Sequence, residues 1–423
     1  WPQSNGSGQV MLAGFSDVRG MRSLDAGESW TLGTAQGLPH NSTYHIVEQS
    51  GGGNLYAATA TVHDLYQSTY LQDSRIDGGD GHIMVSNQSG DSWQTLHDFN
   101  APVVWLAQPA GKANTLYASV VDSVDGGIYV THDLSTNAEF TRLPSPARTE
   151  GHPFNIHALE DGTLLTSWSG RRDANGVFTE SSGIFISSDG GQTWIDRSDA
   201  NMTRWTKDVV VNPHDSTQNT WFASVFSHWG TDNNEVGGLY RTTDRGLSWD
   251  EIGDFYRVNS VAIDPHDPDF AYVTTETEGL WFTENLTSES PTFSLDESYP
   301  FQHPTRVFWN PNDPDEIWTT SFGGGLRVRS SSIAGDFDRD GDVDSEDYSL
   351  WRRTFGDSVA TPGSGADGNA NGVIDAADFT VWRDHFANGE LAVPEPSTAL
   401  LWAAAVALLA QAMSCRVTRA LRE

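Results

Sequence analysis

The residues whose types and spacing are best suited to chemistry form two short runs of oxygen-bearing side chains late in the chain. Residues 336–347, DFDRDGDVDSED, place Asp336, Asp338, Asp340, Asp344 and Asp347 at positions 1, 3, 5, 9 and 12 of a twelve-residue loop. Gly341 falls at the sharp turn, and Asp342 offers its backbone carbonyl. Residues 367–378, DGNANGVIDAAD, repeat the arrangement with Asp367, Asn369, Asn371, the Val373 carbonyl, Asp375 and Asp378, and with Gly372 at the turn. Hard oxygen donors at this spacing suit Ca2+, so two calcium sites are expected. Each loop runs into a helical segment, DYSLWRRTFG or DFTVWRDHFA.

A second constellation is spread over long polar loops in the first three quarters of the chain. It comprises Asp17 and Arg19; His63, Asp64 and Tyr66; Arg171; Trp205; Trp229; and Tyr256, with His40, His152, Arg257 and His303 on neighbouring connections. Carboxylates beside aromatic and guanidinium groups are what a carbohydrate site needs, because aromatic faces stack on sugar rings and paired acids handle a glycosidic bond. On that chemistry Asp17 and Asp64 are the candidate catalytic acids. Arg19, His63, Tyr66, Arg171, Trp205, Trp229 and Tyr256 are the candidate substrate contacts.

These loops must be positioned by repeated strands. An apolar strand, a loop, a glycine and a second strand recur with the glycine at Gly20, Gly81, Gly127, Gly183, Gly238, Gly279 and Gly325, a period of roughly 40 to 60 residues. A further strand leads each later repeat, as in TYHIVEQ, VVWLAQP, FNIHAL, DVVVNP, SVAIDP and RVFWNP. Four β-branched and aromatic strands per unit predict an all-β, seven-bladed β-propeller. The first unit lacks an inner strand and the last an outer one, so an N-terminally truncated ring is expected.

After four of the second strands come SLDAGESW, SNQSGDSW, SSDGGQTW and TTDRGLSW. These resemble the Asp-box of sialidases and other propellers. The Asp is expected to cap a turn, the Gly to adopt a backbone shape other residues resist, and the Trp to pack between sheets. The boxes join third to fourth strands on one rim. The candidate site residues lie on the opposite rim, where second strands join third and one blade joins the next.

A formal net charge of −33 excludes nucleic acid as a partner, since phosphate binding needs clustered Lys and Arg. A single cysteine, Cys415, excludes a disulfide framework or a thiolate zinc site in the body. Residues 398–413 are apolar and uncharged, and Arg416, Arg419 and Arg422 follow them. That order predicts an apolar C-terminal helix, marginal for spanning a bilayer, with the rest of the chain outside the cytoplasm.

Several family resemblances follow from these motifs. The stretch LAGFSDVRGMRSLDAGESW resembles the Gly-x-x-Asp-Val-x-Gly segment of xyloglucanase-like glycoside hydrolases, with Arg19 where that family often has Gly. The resemblance implies a β-glucan or related polysaccharide as substrate and Asp17 as one of two acids, its partner lying in a further propeller. A sialidase-like exo-glycosidase and a non-catalytic propeller that binds glycans or proteins are the alternatives. The calcium-loop pair resembles a type I dockerin, which implies a cohesin-like protein partner. Val393-Pro394-Glu395-Pro396-Ser397 before the apolar run resembles a PEP-CTERM signal, which implies bacterial export, a sorting protease of exosortase type, and residence in the cell envelope or outside the cell. The domains expected are a propeller over 1–332, a dockerin-like calcium module over 333–388 and the sorting or transmembrane segment over 389–423.

Overall fold

A computed structural model describes residues 10–386 except 17, 28, 33–36, 64, 66–70, 88, 136–137, 228–235, 312, 331–333, 339–342, 360–364 and 370. The chain divides into two compact units, Trp1–Arg329 and Ser330–Glu423. The expected C-terminal apolar helix lies outside the described residues. Among those described, no helix is long and apolar enough to cross a membrane.

The first unit is a succession of antiparallel sheets. It opens with a two-stranded ladder, β1 (Met11–Gly14) with β2 (Gly20–Ser23). Five four-stranded sheets follow. The first comprises β3 (Ser42–Glu48), β4 (Leu55–Ala60), β5 (Gly81–Ser86) and β6 (Gln94–Asp98), with the one-turn helix α1 (Asp73–Ile76) between β4 and β5. The next two are β7 (Val103–Ala107), β8 (Leu116–Val120), β9 (Gly127–Thr131) and β10 (Thr141–Arg142), then β11 (Pro153–Ala158), β12 (Leu164–Trp168), β13 (Gly183–Ser187) and β14 (Ile195–Asp196). The last two are β15 (Thr206–Val211), β16 (Trp221–Val225), β17 (Gly238–Thr242) and β18 (Asp250–Gly253), then β19 (Val258–Ile263), β20 (Ala271–Thr275), β21 (Leu280–Thr283) and β22 (Ser294–Leu295). A three-stranded sheet closes the series, β23 (Pro304–Asn310), β24 (Asp313–Ser321) and β25 (Gly325–Ser330).

Six sheets of three or four strands are therefore propeller blades. The expectation of a seven-bladed ring with an incomplete first blade is matched only by six blades, because the first repeat shows just the two paired strands β1 and β2 among the described residues. A single bridge between Arg22 and Thr31 marks the edge where its next strand would run.

Burial explains why the second strand of each blade was the easiest to recognise. In β4, β8, β12, β16 and β20 every residue is buried, since each is flanked within its own sheet and covered by neighbouring sheets on both faces. Alternation disappears and a continuous apolar or small-residue run remains. The outer strands β10, β14 and β22 are two residues long and exposed, which leaves little edge for another chain to pair with.

The turns between third and fourth strands have the expected chemistry. Asp25 accepts from the Ser29 backbone N–H (2.9 Å) and hydroxyl (2.5 Å), while Ser23 Oγ accepts from the Gly27 N–H (2.7 Å). The same set recurs at Asp189 with Thr193 and at Asp244 with Ser248. Hydrogen bonds from these hydroxyls and amides hold all three carboxyls down at about 2. Gly27 takes φ 96° there, and a Cβ on it would lie 2.4 Å from the Trp318 ring, so the first turn packs against the last sheet. Trp30 meets Trp318 edge to face at 5.8 Å across the same seam.

The second unit holds two helices, α2 (Ser345–Thr354) and α3 (Ala376–Phe386), each leading out of a calcium-type loop. Phe337, Ala366 and Ile374 form its buried core with Leu350, Trp351 and Trp382 against them. Trp351 Nε1 donates to the Asp375 carbonyl (2.8 Å) and Trp382 Nε1 to the Asp344 carbonyl (2.7 Å). Each helix thus fastens the opposite loop, a reciprocal arrangement expected of a duplicated motif.

Candidate functional site

Every inner strand carries an irregularity at the same place. Register shifts fall between Thr43 and His45, Val103 and Trp105, Pro153 and Ile156, Thr206 and Asp208, Val258 and Ser260, and Pro304 and Arg306. A bulge of this kind turns an extra side chain away from the sheet, and bulges are common beside functional sites. Here the extra residues Tyr44, Val104, Phe154, Lys207, Asn259 and Thr305 line a cavity of about 350 Å³, whose wall also takes in Trp105, Arg306, β1 and parts of β23–β25.

Two networks organise that cavity. Arg306 pairs with Asp208 (2.8 Å), which is 1% exposed and also accepts from Ser260 Oγ (2.7 Å) and Asn155 Nδ2. The Arg306 guanidinium lies over the Trp105 ring at 4.9 Å, and His45 stacks on the same ring at 3.9 Å. Burial, helped by the Arg306 charge, lowers His45 to about 3 and keeps it neutral. Lys207 lies 4.6 Å above the Phe154 ring, and burial brings its ammonium down to about 7. The cavity therefore offers aromatic faces, a fixed guanidinium and an amine that titrates near neutrality.

Closer to the loop-bearing rim, Arg257 is fully buried and ion-paired to Glu276, with Trp205 and Tyr256 each 5.3 Å from its guanidinium. Tyr256 is half-buried, and its backbone N–H donates to Glu278 (2.7 Å). Trp205, expected to present a face to a sugar, is 3% exposed and packs on Phe226 at 5.1 Å, so its ring belongs to the core. Arg171 makes a two-pronged pair with Asp73 of α1 (2.8 and 2.6 Å) and lies 3.8 Å from Glu150. That pair ties the β4–β5 loop to the β12–β13 loop, occupying the guanidinium expected to bind substrate. Arg19 sits exposed at φ 67° with its N–H donating to the Asn41 carbonyl (2.6 Å), and His63 is exposed. Asp17, Asp64, Tyr66 and Trp229 lie outside the described residues.

Sequence reasoning placed the site on the rim and passed over the cavity. The available signal was a polar residue at the second position of TKDVVV, VNSVAI and PTRVFW, namely Lys207, Asn259 and Thr305, breaking the strand's apolar pattern.

The calcium-type loops fit a cation by their donor chemistry. Asp347, Asp367 and Asp378 are 0% exposed and Asp336 is 5% exposed, an arrangement of buried acids that needs a cation or amide donors to be tolerated. Oxygens of Asp336, Asp338 and Asp347 converge closely enough to share one ion. Asp347 accepts from the Phe337, Asp338 and Asp344 N–H groups, and Asp378 accepts likewise from Asn369 and Asp375. Asp367, Asn369 and Asn371 each accept an N–H from within the second loop. Asp340 and Asp342 lie outside the described residues, whereas the Val373 backbone is placed by a bridge to Ser358.

Fold and site together define a β-propeller joined to a two-helix calcium-loop module. Residues 334–385 match the Dockerin type I domain family, which binds calcium. No curated protein matches the chain by sequence. Among solved structures the chain resembles an ancestral GH74 enzyme with TM-score 0.52 and 13% identity, over 76% of this chain and 44% of that one. It resembles YCF48 from Cyanidioschyzon merolae with TM-score 0.50 and 12% identity, over 77% and 93%. The GH74 xyloglucanase from Xanthomonas campestris follows at TM-score 0.45 and 14% identity, over 76% and 48%. The chain thus spans less than half the length of these GH74 structures. At such identities the likeness is one of fold.

Proposed function

We propose that the protein is an exported polysaccharide-handling protein of the cell envelope or extracellular space, a xyloglucanase-like glycoside hydrolase propeller carried with a calcium-loaded dock for a cohesin-like partner. The observation that carries the reading is the attachment of a dockerin-type segment to a propeller of the fold seen in a GH74 enzyme. In this reading β1 and β2 belong to a seventh blade, the Ser/Thr-x-Asp turns are Asp-boxes, and both calcium loops are filled. The domains are 1–332, 333–388 and 389–423, the last a PEP-CTERM tail handled by sorting machinery. In this reading Asp17 is one of two catalytic acids, with Asp64 a further candidate carboxylate.

The test is hydrolysis of xyloglucan and other β-glucans by the full-length protein, followed by reducing-end release. Activity that Asp17→Ala leaves unchanged would remove the catalytic assignment at that residue. A second reading, a propeller that binds glycan or protein without turnover, is favoured by coverage, since the chain accounts for 93% of YCF48 but 44% of the GH74 enzyme. Binding on a glycan array without product release selects it.

A further inference from the structure

His40, Asp80 and His82 come together at the root of the long loop between β4 and β5, and the polysaccharide reading gives none of them a catalytic or substrate-contact role. His40 Nε2 and His82 Nδ1 face each other at 2.5 Å, with ring centroids 4.6 Å apart. Asp80 Oδ2 lies 3.9 Å from the same His40 nitrogen, while its other oxygen accepts the Gly81 N–H (3.0 Å). One ligand atom from each residue falls within a common radius suited to a single ion. His40 is 7% exposed, so its ring cannot turn freely into solvent.

The decisive contact is behind His82. Its Nε2 faces Asp98 Oδ2 at 3.5 Å, across the β5–β6 ladder where the two residues are register partners. A carboxylate on that side favours the tautomer with its proton on Nε2, which leaves the Nδ1 lone pair facing His40. That carboxylate–histidine relay is the usual support behind a metal-bound imidazole. Asp98 is in turn oriented by the Asn100 N–H on its other oxygen (3.0 Å).

We propose that His40 Nε2, His82 Nδ1 and Asp80 Oδ2 bind one divalent transition metal of the zinc class, with Asp98 as positioning residue. Two imidazoles and a carboxylate are the donors such an ion prefers, and three protein ligands leave a fourth position for water or another oxygen donor. Nitrogens on a tetrahedral zinc stand about 3.3 Å apart, given Zn–N bonds of about 2.0–2.1 Å. Loading therefore requires the two rings to part by less than about 1 Å, with loss of the proton they share. The ion differs in kind from the calcium of the C-terminal module, whose loops offer oxygen alone. It fastens the start of β5 to the connection entering β3, which fixes the base of the loop that holds His63.

The experiment is calorimetric titration of the full chain with ZnCl2 after chelation and dialysis, in excess CaCl2 so that the oxygen loops are saturated. One equivalent of Zn2+ is expected, with affinity reduced about 10–100-fold in Asp98→Asn. In the His40→Gln/His82→Gln double variant the loss is expected to be larger. Cobalt(II) in place of zinc should give visible d–d bands of a tetrahedral nitrogen–oxygen site. Absence of zinc uptake by the wild type, or uptake unchanged in the double variant, overturns the proposal. Should the double variant fail to fold, Asp98→Asn decides the relay: equal zinc affinity to the wild type refutes it.

Discussion

Arg257 and Glu276 illustrate how much a single residue pair can matter in this propeller. Both are almost inaccessible, at 0% and 8% exposed, and each neutralises a charge that water cannot reach. Removing one partner strands the other, which costs about 3–5 kcal/mol, whereas replacing both by apolar groups of similar volume is far milder. Glu276→Ala should therefore lower the unfolding free energy by about 3–5 kcal/mol in urea titrations, and Arg257→Met/Glu276→Leu by less than either single change. A wild-type midpoint for Glu276→Ala would mean that water reaches the guanidinium after all. His152 makes the complementary case for pH. It is 0% exposed, and burial lowers it to about 4, so the native state holds it neutral. The unfolded chain takes up that proton near about 6.5. With the folded value depressed, its contribution to stability is complete above about 6.5 and is lost as pH falls toward about 4. The melting temperature should drop over that window, and His152→Gln should flatten the slope. Identical slopes in the two proteins would contradict the burial.

Among the elements, those whose logic is local could be read from sequence and those whose logic is spatial could not. The turns at Asp25, Asp189 and Asp244 were legible because donor and acceptor lie within a few residues. The second strands were legible because burial on both faces leaves an unbroken apolar run. The network behind the cavity was not, since Arg306 meets Asp208 only through the ring of sheets. Nor could spacing alone tell that Arg171 is engaged by Asp73, or that Trp205 faces the core. The blade count departed from seven for a related reason: seven glycine-led strands are visible, but the first forms only a two-stranded ladder among the described residues. The seam between the first turn and β24 is where that matters energetically. Trp318 is 6% exposed against Trp30 and Gly27, and Trp318→Ala should cost about 3–5 kcal/mol, as large-to-small core changes of Trp do. Gly27→Ala should also destabilise, by strain at φ 96° and by contact with that ring. Melting temperatures of both variants check the seam, and a neutral Trp318→Ala would show that this closure contributes little.

At the scale of the whole molecule, a chain of net charge −33 carries two very different ways of tolerating its acids. In the propeller unit, buried carboxylates such as Asp208 and Asp73 meet arginines. In the C-terminal unit, Asp347, Asp367 and Asp378 are buried against backbone N–H groups and Asp336, Asp338 and Asp347 converge, an arrangement that a bound cation stabilises. Because the Asp344 and Asp347 side chains also cap α2, losing the ion affects the helix start as well as the loop. Calcium removal should consequently act on one unit alone. Scanning calorimetry of the full chain in calcium should show a transition for the C-terminal unit that shifts down on adding a chelator, while the propeller transition stays in place. Fluorescence of Trp351 and Trp382, which fasten the opposite loops, should move to the red together with it. Asp378→Ala should reproduce the shift in the presence of calcium and lower the bound stoichiometry. If chelation moves both transitions equally, the propeller too depends on calcium; if it moves neither, the loops are stable without the ion and the metal assignment fails.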